Sequence, residues 1–85
     1  METVIAQSLG RSIKAFRLTA GLTQEQLALA AGINRNYVSS LEHGQKAASL
    51  AIVFRVAIAL DISPTELVAS VVRDIEKKSE TSSDL

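Results

Sequence analysis

The sequence predicts an all-α domain of five short helices. Three observations carry this. Only one proline occurs among the 85 residues, and Pro64 stands where it can open a helix rather than break one. The glycines sit where helices should stop. Apolar residues recur at three- and four-residue spacing, and no stretch alternates like a strand.

The first helix is expected from about Thr3 to Ala20, with Leu9, Ile13 and Phe16 on one face and Gly21 as the stop. Thr23 caps the second, and Gln26 three residues on completes a capping box. Leu27, Ala28 and Ala31 form its apolar face, and Gly32 ends it. The third starts at Asn34 and ends before Gly44, with Val38 and Leu41 turned inward. The fourth follows Ser49 and ends near Leu60. Its core face is expected at Leu50, Val53, Ala57 and Leu60. Ser63-Pro64-Thr65-Glu66 opens the fifth, with Ser63 and Glu66 as a second capping box. That helix should end near Lys78. The polar tail Ser79–Leu85 is expected to be disordered, leaving one domain at 1–78.

Composition removes several classes of function. The chain has no cysteine, which excludes disulfides, thiolate metal sites and a cysteine nucleophile and suits a reducing cytoplasm. A single histidine makes a metal role unexpected. No nucleophile–base set or phosphate loop is visible, so neither catalysis nor a cofactor is expected. No signal peptide shows in Met1–Gln7. The longest apolar run, Leu50–Leu60, is interrupted by Arg55 and falls short of the roughly 20 residues that span a bilayer. The net charge is zero, but its distribution is uneven. Residues 1–55 carry six basic and three acidic side chains, and residues 56–85 the reverse.

Helices two and three are joined only by Gly32-Ile33-Asn34. A helix, a glycine turn and a second helix make a helix-turn-helix unit over residues 23–43. Ala28 is small where the helices should cross. Ile33, Val38 and Leu41 fill the angle between them.

A longer pattern surrounds this unit. It comprises Leu9-Gly10-x-x-Ile13-x-x-Phe16-Arg17, Gly21-Leu22-Thr23-Gln24-x-x-Leu27-Ala28, Ala31-Gly32-Ile33 and Val38-Ser39-x-Leu41-Glu42-x-Gly44. Ala57-x-x-Leu60-x-Ile62-Ser63-x-x-Glu66-Leu67 follows. Across about residues 9–68 the chain resembles the Cro/CI (XRE) family of transcriptional regulators. The resemblance implies a compact lambda-repressor-like domain whose third helix enters the DNA major groove. It also implies that Gln24 meets a phosphate or a neighbouring side chain of that helix. An ion pair between Arg17 and Glu42 would tie helix one to helix three. Phage or plasmid repressors, restriction–modification controllers and antitoxins are the implied settings. The short length and long fifth helix look most like controllers.

The residues of the third helix suit that role. With Val38 and Leu41 inward, Asn36, Ser40 and His43 point outward and Ser39 lies at their edge. Arg35 stands on the first turn. Arg35, Asn36, Ser39 and Ser40 are the candidate base readers. Arginine pairs with guanine and asparagine with adenine, each worth about 1–3 kcal/mol of discrimination. Gln24, Tyr37, His43, Gln45 and Lys46 are the candidate backbone contacts. Tyr37 equally suits packing on the domain, His43 plain exposure, and Lys46 an ordinary surface position.

The fourth helix is apolar on nearly every side, and the fifth carries an apolar stripe beyond Leu67. Ile52, Ile58, Val68, Val71, Val72 and Ile75 therefore predict a homodimer interface. The expected function is binding of palindromic operator DNA as a homodimer. The alternative is a protein-binding module, such as an antitoxin, whose apolar face on helices four and five takes another protein.

Overall fold

The computed structural model describes residues 1–83 and contains five helices: α1 (Glu2–Thr19), α2 (Gln24–Ala31), α3 (Arg35–Glu42), α4 (Leu50–Ala59) and α5 (Pro64–Ser83). The local signals act where the sequence places them. The Thr23 hydroxyl accepts from the Gln26 N–H at 3.0 Å, and the Gln26 side chain accepts from the Thr23 N–H at 2.9 Å. Gly32 adopts φ +69°, a left-handed conformation that costs a residue without Cβ little. Asn34 and Ser49 cap α3 and α4 through their side chains.

Two ends differ from expectation. Ser63 caps α5 by accepting from the Thr65 N–H at 3.1 Å, in place of the predicted box with Glu66. Helix α5 also runs on past Lys78 to Ser83. No glycine or proline lies between those residues to stop it. The rest of the predicted disordered tail, residues 84 and 85, lies outside the described residues.

The core joins all five helices. Ile13, Leu27, Val38, Leu41, Val56 and Leu67 are essentially withdrawn from solvent. Each such aliphatic side chain contributes about 1.5–3 kcal/mol through burial. Ala28 and Ala31 of α2 are buried in this core, and Ile33 of the turn packs against it.

The inner face of α4 differs from the predicted one. Leu50 is 69% exposed, and Val56 is wholly buried in its place. At about 100° per residue, Val53 and Leu60 share the centre of the buried arc. Val56 and Ala57 flank that centre, whereas Leu50 falls at the edge on an open first turn. Leu50, Phe54 and Ile58 recur every fourth residue and form an outward apolar stripe.

The residues predicted for a dimer interface divide into two groups. Ile58, Val68 and Val72 are exposed. Val71 belongs to the chain's own core, and Ile52 and Ile75 pack partly against it. Val71 is drawn inward because α5 crosses α1, where the Ser8 hydroxyl donates to the Val71 carbonyl at 3.3 Å. Among the described residues, no helix is long and apolar enough to cross a membrane.

Candidate nucleic-acid interface

Helix α3 has two chemically different sides. Val38 and Leu41 bury one side in the core. The other side presents Arg35, Asn36 and His43 to solvent, with Ser39 and Ser40 half-buried beside them. The Asn34 side chain accepts from the Asn36 N–H at 2.7 Å, which fixes the first turn. At the other end, the His43 ring nitrogen Nδ1 lies 2.7 Å from the Ser39 carbonyl. Gln45 and Lys46 follow in the exposed turn. Tyr37 is half-buried and packs against the core cluster.

The one carboxylate of α3 is held away from this surface. Glu42 receives Arg17 Nε on Oε2 at 2.6 Å and Arg17 Nη2 on Oε1 at 3.0 Å. This two-pronged geometry is among the strongest that charged side chains form. The Arg17 and Glu42 side chains are only 9% and 2% exposed, deeper than a surface pair. Arg17 Nη1 also donates to the Leu22 carbonyl at 2.8 Å. Arg17 thereby ties the entry of the α2–α3 unit to its exit.

Gln24 joins the same network, which realises the second of its two expected contacts, a neighbouring side chain of α3. Its Nε2 donates to Glu42 Oε1 at 3.0 Å. One side-chain N–H of Gln24 is therefore engaged within the protein. Arg17, Arg35 and residues 22–25 line a shallow open basin beside this network.

The charged forms of the network are favoured. Burial pushes the Glu42 carboxyl up, but the hydrogen bonds from Arg17 and Gln24 and the charges of Arg17 and Lys14 outweigh it. The net result lies below the ordinary glutamate value. The hydrogen bond to Glu42 raises Arg17 in turn. Among the described residues, no group of three or more acidic, histidine or cysteine side chains is arranged to hold a metal ion.

Two short helices in contact, a left-handed glycine between them and a polar outer face on the second together define the architecture. A helix-turn-helix family model matches residues 13–67. The chain belongs to the XRE-type helix-turn-helix family of DNA-binding proteins. It is 42% identical over 62 residues to the uncharacterized transcriptional regulator YazB of Bacillus subtilis, covering 73% of this chain and 90% of that one. It also resembles the restriction–modification controller protein C.AhdI of Aeromonas hydrophila. That similarity has 40% identity and a TM-score of 0.71, covering 73% of this chain and 94% of the controller. The clp gene regulator ClgR of Corynebacterium glutamicum superposes with a TM-score of 0.85 at 25% identity, covering 93% and 84% of the two chains. This helix-turn-helix family places the chain among transcription regulators.

Proposed function

We propose that this helix-turn-helix chain is a cytoplasmic regulator, bacterial or phage-encoded, that binds palindromic operator DNA as a homodimer. The observation that carries the reading is the outer side of α3. Arg35, Asn36, Ser39, Ser40 and His43 offer donors and acceptors there, while Glu42 is bound inward by Arg17 and Gln24. A free carboxylate on that side would repel phosphates. Its capture leaves a surface fitted to a duplex. Arg35 and Asn36 read bases. Gln24, His43, Gln45 and Lys46 contact the sugar–phosphate backbone, and Tyr37, half-buried against the core, joins them through its exposed part.

The apolar surface supports the dimer. Leu50, Phe54 and Ile58 on α4 and Val68 and Val72 on α5 are all substantially exposed. Ile5, Val53, Val68 and Val71 line an apolar groove of about 160 Å³ between α1, α4 and α5. A second copy of the chain on this surface removes it from water. Two-fold symmetry then sets two α3 helices about one DNA turn, or 34 Å, apart. The likeness to C.AhdI favours a restriction–modification controller as the setting.

Selection of bound fragments from a random DNA pool tests the reading. A palindromic consensus is expected. Arg35→Ala and Asn36→Ala should relax it at separate positions, each by about 1–3 kcal/mol. Ile58→Glu should leave monomers in sedimentation and weaken the selected site more than mixed-sequence DNA. A chain that retains no salt-sensitive DNA affinity, yet forms a stable complex with another protein through the α4 surface, would overturn the proposal in favour of a protein-binding module.

A further inference from the structure

The C-terminal end of α3 rests on bare backbone of α1. A Cβ built on Gly10 would lie 2.8 Å from the Glu42 carbonyl oxygen and still closer to the Leu41 carbonyl oxygen. These are backbone atoms and cannot swing aside as a side chain can. The Leu41 carbonyl also accepts from the Gly44 N–H at 3.0 Å. Gly44 in turn sits against α1, where its added Cβ would meet Gln7 Cα and Cγ at 2.9 Å. Gln7, Gly10 and Arg17 fall on one face of α1, three and seven residues apart. That face therefore meets α3 and its exit turn at three successive points: Gln7 on Gly44, Gly10 on the last carbonyls, and Arg17 on Glu42.

We propose that Gly10 is a positioning residue for DNA recognition. Its missing side chain lets the last turn of α3 seat directly on α1, and this close approach sets how far and at what angle the reading side stands out from the domain. The proposal rests on the DNA-binding reading of α3 given above. Gly10 itself is buried, so its part is to seat α3 rather than to meet a duplex. A Cβ there forces α3 outward as a unit, because its last turn, the Gly44 turn and the hydrogen bond between them move together. Phosphate contacts tolerate such a shift far better than base contacts, which are directional. Discrimination should therefore suffer before affinity.

Three variants test this: Gly10→Ala, Gly44→Ala and Gly21→Ala. Gly21 and Gly44 share nearly the same left-handed backbone, with φ of +73° and +69°. Nothing lies within 4 Å of an added Cβ at Gly21. Gly21→Ala thus carries the conformational strain without the close approach. Each variant is checked for a cooperative thermal transition. Its affinity is then measured for the site selected by the wild-type chain and for mixed-sequence DNA. Folded Gly10→Ala is expected to lose about tenfold or more on the selected site while mixed-sequence affinity stays within about twofold, the loss of roughly one aligned base contact. Gly44→Ala should follow in the same direction, and Gly21→Ala should discriminate as the wild type does. The proposal is overturned if folded Gly10→Ala keeps wild-type discrimination or if Gly21→Ala loses as much. It also falls if Gly10→Ala does not fold and Gly44→Ala either discriminates normally or does not fold. A wild-type chain that selects no site would instead remove the DNA-binding reading itself.

Discussion

Helix α1 carries two ion pairs of the same length in very different surroundings. Arg17 meets Glu42 of α3 at 2.6 Å, and Arg11 meets Asp74 of α5 at 2.6 Å. The first pair is nearly closed off from water. The second has side chains 46% and 31% exposed. The first is two-pronged and shared with Gln24 and the Leu22 carbonyl. The second lies at the margin of a polar seam in which Ser12 and Ser70 hydroxyls meet at 2.8 Å. Equal distances therefore do not mean equal consequences. The α1–α3 contact fixes the helix proposed to face a duplex. The α1–α5 contact seats a helix whose outer residues are proposed to meet a second copy.

The largest expected effect is that of Arg17→Ala. It strands a buried carboxylate and should destabilise the fold by about 3–5 kcal/mol, read from urea unfolding. A loss below about 1 kcal/mol would place this pair in the same class as the exposed one. Acidification gives the next effect. Glu42 has a lowered folded value, so its stabilisation is present above the unfolded glutamate value of about 4.3 and is lost as pH falls through the folded one. The stability gap between wild type and Arg17→Ala should therefore narrow below about pH 4.3 in thermal melts. A gap constant from pH 7 to pH 3 would contradict the network. Asp74 titrates with the same sign, held down by the Ser8 hydroxyl and the Arg11 guanidinium, but it is open to solvent and adds little. The smallest effect is that of Arg11→Ala, at most about 1 kcal/mol and weaker still in high salt. A larger loss would show that the α5 seam shares the burden carried by the α3 seam.

Sequence legibility follows the reach of the interactions. The box of Thr23 and Gln26 and the turn at Gly32 were visible because their partners lie within a few residues. The outer side of α3 is visible for the same reason, since one helix period sorts Val38 and Leu41 from Asn36, Ser40 and His43. The inner face of α4 was only partly legible. Periodicity gives an arc, but what covers each end depends on neighbours remote in the chain, so Leu50 and Val56 exchange roles. Val71 reads as outward in the sequence because nothing there announces that α1 crosses α5 at Ser8. The resemblance left Gln24 two partners, and the bond to Glu42 is one of them. The seat at Gly10 is not legible, because it arises where helices far apart in sequence meet and a small residue does not reveal what lies against it.

The depth of the Arg17–Glu42 pair has a bearing on ionic strength. At physiological salt, charges in water cease to feel one another beyond about 8 Å, and side chains such as Arg35 and Lys46 lie open to that screening. A pair shut inside the protein is hardly touched by it. Dissolved ions should thus loosen the proposed grip on a polyanion while leaving the helix that carries it in place.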